Sequence, residues 1–221
     1  MKRNPISTKS KDRGPGRPAH GDSSRHDALL AAAQKYFLVK QYRRVTTREI
    51  AAEAGVDIGL IGYYFHNKEG LYKAMLVSVF EQTMHRLWQL QQDPPPSAVR
   101  ELFDALYGIH SLHPDLALLT LKTLLIEDGP SRDFLLQDIV SLLEDYVTKI
   151  FTKMRNQGMI ADQLDPLLLQ EAFTGLCLRP FQTRPMLVEK LGEEKADEYI
   201  RRLFRQNAEL FEKAVIAPAP G

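Results

Sequence analysis

One cysteine, Cys177, is all the thiol chemistry this chain of 221 residues carries. A lone thiol excludes an intrachain disulfide framework and fits a reducing cytoplasm. No stretch approaches the ~18 to 20 uninterrupted apolar residues of a membrane span. The opening residues MKRNPISTKSKDRGPGRP are basic but lack the apolar core of a secretory signal. No alternating strand pattern or internal repeat is present. HExxH, GxSxG, Walker A and GxGxxG are also missing, as is any carboxylate pair in a recognisable setting, which argues against an enzyme. What remains is an ordinary globular composition, 44% hydrophobic and 26% charged.

The formal net charge of +1 conceals a division. Residues 1–68 hold 13 Lys and Arg against 6 Asp and Glu, whereas residues 69–221 hold 16 against 22. A basic first third on an acidic remainder places a polyanionic partner on the former. Residues 1–23, rich in Lys, Arg, Ser, Gly and Pro, read as a disordered basic arm. Within it, RGPGRP has the Gly-Arg-Pro core of an AT-hook, which would lay Arg17 in a narrow minor groove. A flexible tail attracted to phosphates without preference is the alternative.

Helical signals begin at Ser24. Leu30, Ala33 and Phe37 recur at helical spacing and predict a first helix over residues 24–39. Thr46 and Glu49 have the spacing of a capping box for a second helix. Ile50, Ala51 and Ala54 face inward, and Gly55 can take the left-handed conformation that ends it. Asp57 is placed to cap a third helix, with Val56 and Ile61 as a staple, and Asn67 to cap a long fourth helix toward Leu90. The run DPPPS at 93–97 must break that helix. Beyond it, helices are predicted over 97–112, 115–126, 131–156, 166–178 and 193–215, with a loop from Pro180 to Pro185. The expected fold is all-α: a three-helix helix-turn-helix head, 24–68, on a larger helical body for ligand binding and dimerisation, 69–217.

The segment TTREIAAEAGVDIGLIGYYFHNKEGLY resembles the DNA-binding signature of tetracycline-repressor-like (TetR/AcrR) transcriptional regulators. The resemblance covers about residues 25–75. It departs from the family at Gln41, where a Gly is frequent, and at Asp57, where Ser or Asn is usual. It implies that Thr47, Tyr64 and Lys68 hold phosphates, with Thr46 at the helix start, and that Arg48 reaches a base. Ile58, Gly59, Leu60, Gly62 and Tyr63 take the groove-facing positions. Ile58 or Leu60 suffices for contact with thymine methyls, the glycines let the backbone approach the bases, and Arg48 suits guanine. Gly62, where relatives often carry a contacting residue, shifts the burden to Arg48 and the arm.

For the body, the resemblance implies dimerisation through the last two long helices and an effector pocket between the middle ones. Leu168, Ala172 and Gly175 line one face of the first of those helices, and Ile200, Phe204 and Phe211 form a stripe on the second; together they are the expected dimer interface. Phe80, Phe103, Tyr107, His110, Leu121 and Phe134 are the expected effector residues, although such apolar positions also serve as plain core. His110, His113 and Asp115 carry metal-ligating atoms, but His113 precedes Pro114 and reads as a helix end; no metal and no cofactor are expected. Glu127 and Asp128 read as a solvated helix end, and Cys177 as a buried small hydrophobe. The expected function is a ligand-responsive regulator, a dimeric repressor released from a palindromic DNA operator by a small-molecule effector. Alternatives are a nonspecific architectural DNA-binding protein and a ligand carrier or adaptor.

Overall fold

Helix accounts for nearly all of the regular structure among the described residues, with one isolated bridge between Ile160 and Ile216 in place of any strand. The computed structural model describes residues 20–92, 94, 97–126 and 128–216. The minor-groove reading of Arg17, the acidic Glu127 and the APAPG tail therefore lie outside the described residues. Two compact units emerge. The first holds the residues up to Glu81 together with Lys122–Leu136; the second holds Gln82–Leu121 and the residues from Gln137 onward. The first is larger than a 24–68 head, for it takes part of the fourth helix and a segment of the expected body.

In the first unit, α1 runs from His20 to Phe37. It starts four residues before the expected Ser24, so the residues 20–23 assigned to the arm are its opening turn. Leu29 rather than Leu30 is its fully buried leucine, with Ala33 and Phe37 beside it. After α1 the chain turns through Gln41 at φ −58° and a short 3-10 turn, Tyr42–Arg44. A negative φ demands no glycine, which explains why Gln41 is accepted where relatives of the motif have Gly. The helix α2, Thr47–Glu53, and α3, Gly59–Phe65, follow as expected. Ile50, Ala51, Ile61 and Phe65 are buried, so the two short helices turn their large apolar side chains toward one core. The long α4, Lys68–Gln92, contributes its residues through Glu81 to this unit and the rest to the second.

The second unit is built from α5, Ala98–Leu112, the first part of α6, Leu116–Ile126, and α8, Ser141–Asn156, then α9, Pro166–Gln182, α10, Arg184–Leu191, and α11, Glu193–Val215. Its core is aromatic. The Phe103 ring lies 4.9 Å from Phe173, 5.6 Å from Phe204 and 5.8 Å from Phe211, centroid to centroid. Two expectations need correction. The predicted helix 131–156 is not uniform, because α7, Pro130–Asp133, passes into a π segment, Phe134–Val140, before α8. Nor is Pro180–Pro185 a loop: α9 continues through Pro180 to Gln182, and α10 begins almost at once. Proline cannot donate to the carbonyl four residues earlier, which leaves the Leu176 oxygen orphaned. Asn207 of α11 supplies the missing donor, its side-chain amide reaching that oxygen at 3.0 Å. Pro185 falls at the start of α10, where the absent N–H has no helical partner to lose.

Candidate nucleic-acid interface

Three capped helix starts organise the head. At α2 the capping box is complete: the Glu49 amide donates to Thr46 Oγ1 at 3.2 Å, and the Thr46 amide donates to the Glu49 carboxylate at 2.8 Å. Those bonds to Thr46, reinforced by Lys40 at 3.2 Å, hold the Glu49 carboxyl at about 2, below its ordinary range. The turn passes through Gly55 at φ +65°. Asp57 then accepts the Gly59 amide at 2.7 Å and so caps α3, although Ile58 is the residue that sits at the helix boundary. Asn67 accepts the Gly70 amide at 2.9 Å and caps α4.

The exit from α3 is strained. His66 has φ +68° and ψ −44°, and the Asn67 amide donates to the Phe65 carbonyl at 2.8 Å, which together make a γ-turn. The same carbonyl lies 2.0 Å from where a Cβ on Gly70 would stand, so only glycine fits there. That tight corner sets α3 directly against the start of α4 and its Lys68. The Lys68 ammonium rests 4.2 Å over the Tyr42 ring, and Tyr42 stacks on Phe37 at 5.6 Å. His26 of α1 packs against Tyr64 and Phe65 at 5.5 and 4.9 Å. Tyr42, His26 and Gly70 were not anticipated as parts of this site. Only Gly70 left a sequence trace, three residues after a capping asparagine.

The expected DNA residues are presented unequally. Thr46 and Arg48 are exposed at the start of α2, and Thr47 is half-buried. On α3, Ile58, Gly59, Gly62 and Tyr63 are all exposed and share the outward face, with Tyr63 at 70%. Leu60 is half-buried and lies with Tyr64 on the other flank, so it is not part of that outward strip. From the segment 122–136, Asp128 forms an ion pair with Arg43, Ser131 hydrogen-bonds Tyr42, and the Phe134 ring lies beneath the Lys73 ammonium at 5.3 Å. Burial raises the Tyr42 phenol pKa, and the bond from Ser131 opposes that shift.

The expected effector residues are not gathered in one place. Phe80 and Phe134 belong to the first unit, and Phe103, Tyr107, His110 and Leu121 to the second. In the second unit a cleft of about 390 Å³ lies between α5 and α11. Phe103, Tyr107 and Phe204 line it together with Arg100, Arg201 and Arg205. His110 is buried beside Phe181 at 5.1 Å, and its Nδ1–H donates to the Leu106 carbonyl at 2.8 Å. Burial lowers its pKa to about 4, so the ring is neutral at physiological pH. Among the described residues no group of three His, Cys, Asp or Glu side chains is arranged to hold a metal, and no helix is long and apolar enough to cross a membrane. Cys177 is fully buried, and that burial pushes its thiol well above the ordinary range.

The expected dimer face divides. Leu168, Ala172 and Gly175 are exposed along α9. Ile200, Phe204 and Phe211 are not free: each is at most 6% exposed and packs inside the chain. The large aromatic stripe of α11 is claimed by the core, where Phe204 and Phe211 meet Phe103, and Tyr199 and Leu210 remain outside on an adjoining flank.

Residues 29–75 match the sequence model of the family described as bacterial regulatory proteins, tetR family. An uncharacterized HTH-type transcriptional regulator of Bacillus subtilis, YuxN, is 30% identical over 96 residues, 42% of this chain. That match spans only about a third, 33%, of the relative's length. The solved SmeT–triclosan complex aligns with 89% of this chain and 93% of its own at a TM-score of 0.70 and 17% identity. The Bacillus subtilis regulator FadR in complex with stearoyl-CoA aligns with 86% of this chain and 98% of its own at a TM-score of 0.68 and 18% identity. At such identities the structures establish a shared fold, and the likeness to the tetR family of bacterial regulatory proteins rests on residues 29–75, the helix-turn-helix segment.

Proposed function

We propose that the protein is a ligand-responsive transcriptional repressor, a homodimer that holds a palindromic operator and releases it when a small molecule occupies its body. The observation that carries the DNA half is the outward surface of α2 and α3, which offers Thr46, Arg48, Ile58, Gly59, Gly62 and Tyr63 beside the Lys68 end of α4. A helix of this kind enters the major groove while its neighbour braces the backbone. Thr47, Tyr64 and Lys68 hold phosphates, and Arg48 takes guanine through its paired donors.

Two half-sites on one DNA face require two heads. Exposed Leu168, Ala172 and Gly175 of α9, with Tyr199 and Leu210 of α11, support a two-fold interface on these helices. The effector is a small molecule of the body, and the cleft between α5 and α11 is where Phe103 and Tyr107 support placing it. Triclosan in SmeT and stearoyl-CoA in FadR lend weight to an effector of this general kind. Release needs an effector that binds the non-DNA-fitting state more tightly. As a single helix from Lys68 to Gln92 that contributes to both units, α4 is the proposed lever. Such a regulator works in the cytoplasm.

Fluorescence anisotropy of the full chain against the DNA upstream of its own gene and a scrambled duplex, at two salt concentrations, tests this reading. Selective binding that survives moderate salt is expected. Equal, salt-collapsing binding to both duplexes would replace the repressor with an architectural protein.

A further inference from the structure

We infer that α3 selects its bases by their methyl groups: Ile58 and the bare strip at Gly59 and Gly62 form a socket for the C5 methyls of thymine, and hydrogen-bond readout falls to Arg48 of α2. This rests on the proposed reading that α3 enters the major groove of an operator.

The outward face of α3 carries little that can hydrogen-bond. Spaced at helical intervals, Ile58, Gly59, Gly62 and Tyr63 are its exposed members, while Ile61 and Phe65 are buried. The neighbouring carboxylate, Asp57, accepts the Gly59 amide at 2.7 Å and lies before the strip rather than on it. That leaves the Tyr63 hydroxyl as the sole polar side-chain group within the exposed strip 58–63. In the major groove only thymine offers an apolar handle, its methyl, among patterns that are otherwise donors and acceptors. An exposed isoleucine next to a surface without side chains is complementary to that handle.

The two glycines of the α3–α4 corner show why the bare strip points outward. At Gly70 the fold itself forbids a side chain, because a Cβ would meet the Phe65 carbonyl oxygen at 2.0 Å. At Gly62 nothing lies within 4 Å of where a Cβ would stand, and the backbone is helical with no positive φ. Glycine there lowers helix stability without answering any need of the chain's own packing. On the proposed reading that space is left for the DNA surface that approaches the helix backbone at that point.

The test starts with the tightest duplex the full chain selects from a random-core DNA pool, synthesised once with thymidine and once with deoxyuridine. Uracil keeps the O4 acceptor and loses only the methyl. Wild type should bind the deoxyuridine duplex roughly three- to fivefold more weakly for each methyl it covers. Ile58→Ala, at a position 48% exposed and outside the core, should bind the two duplexes alike. Gly62→Ala should narrow the ratio by filling the socket, whereas Arg48→Ala should weaken both duplexes and keep it. Equal wild-type affinity for both duplexes, or one unchanged ratio across wild type, Ile58→Ala and Gly62→Ala, overturns the methyl reading and leaves the repressor standing. A pool that yields no preferred duplex overturns the repressor and this inference with it.

Discussion

The helices α3 and α11 are both amphipathic, yet they distribute their apolar residues in opposite ways. On α11 the strongest stripe, Ile200, Phe204 and Phe211, is consumed by the chain's own core, and what shows outside is the weaker line of Tyr199 and Leu210. On α3 the core takes Ile61 and Phe65, and the helix still leaves an isoleucine, a tyrosine and two glycines outside. The lesson is that an apolar stripe marks an interface only after the core has taken its share. In α11 the aromatic side chains satisfy the fold. On α3 the outward Gly59 still serves the Asp57 cap and Tyr63 still meets Tyr64 at 4.9 Å, but Gly62 meets nothing of the chain's own, and it is there that the proposed partner would be felt.

The sharpest way to break this contrast is on α11. Truncating a buried phenylalanine leaves a cavity in an aromatic cluster, so Phe204→Ala should cost about 4 kcal/mol of stability in chemical denaturation. Leu210→Ala, whose side chain is 58% exposed, should change monomer stability by less than about 0.5 kcal/mol while raising the dimer dissociation constant in analytical ultracentrifugation. Similar losses of monomer stability from both would show that the outward line is also core.

The α3–α4 corner comes next. Gly70→Ala forces a methyl into the Phe65 carbonyl, a backbone atom that cannot rotate away, and should destabilise the protein by about 3 kcal/mol. Circular dichroism on thermal melting would record the loss. Wild-type stability in this variant would mean the γ-turn at His66 relaxes freely.

Within the body, His110 gives stability a pH dependence of known sign. Burial lowers its pKa in the folded state to about 4 from an ordinary value of 6.5, so between these values the unfolded chain binds a proton that the folded chain refuses. The stability from keeping the ring neutral is complete above pH 6.5 and is lost as pH falls toward 4, a total of about 3 kcal/mol. His110→Phe removes the titrating group and keeps a ring against Phe181. Its denaturation midpoint should fall less than that of the wild type between neutral pH and about pH 5.

How much of this was legible in the sequence depends on whether the decisive partner is local. Thr46 with Glu49, Gly55, Asp57 and Asn67 each act within a few residues, and every one sits in the expected role because caps and turns are chosen by the chain segment that carries them. The errors arose where a distant residue decided. Pro180 reads as a break until Asn207 supplies the donor it lacks, and Ile200, Phe204 and Phe211 read as a free stripe until Phe103 and its neighbours are placed against them. Likewise Tyr42, an unremarked residue after α1, acquires its role from Lys68 and Ser131. Of the candidate interface, the positions on α2 and α3 were visible in the motif; that Leu60 turns aside while Ile58 faces out followed only from packing.

The smallest expected effect separates fold from function most cleanly. Gly62→Ala adds a methyl where nothing lies within 4 Å, in a backbone that any L-residue adopts, and it exchanges the poorest ordinary helix former for the best. By the logic of the isolated chain the substitution can only help, and it should raise unfolding stability by up to about 1 kcal/mol. By the logic of the outward strip it should weaken binding to the selected duplex, because the added carbon occupies the place a base must approach. Opposite signs in denaturation and in anisotropy would mark position 62 as one where stability has been given up for recognition. A variant that gains in both would mean Gly62 answers to neither core nor DNA, and the asymmetry between α3 and α11 would shrink to the two side chains of Ile58 and Tyr63.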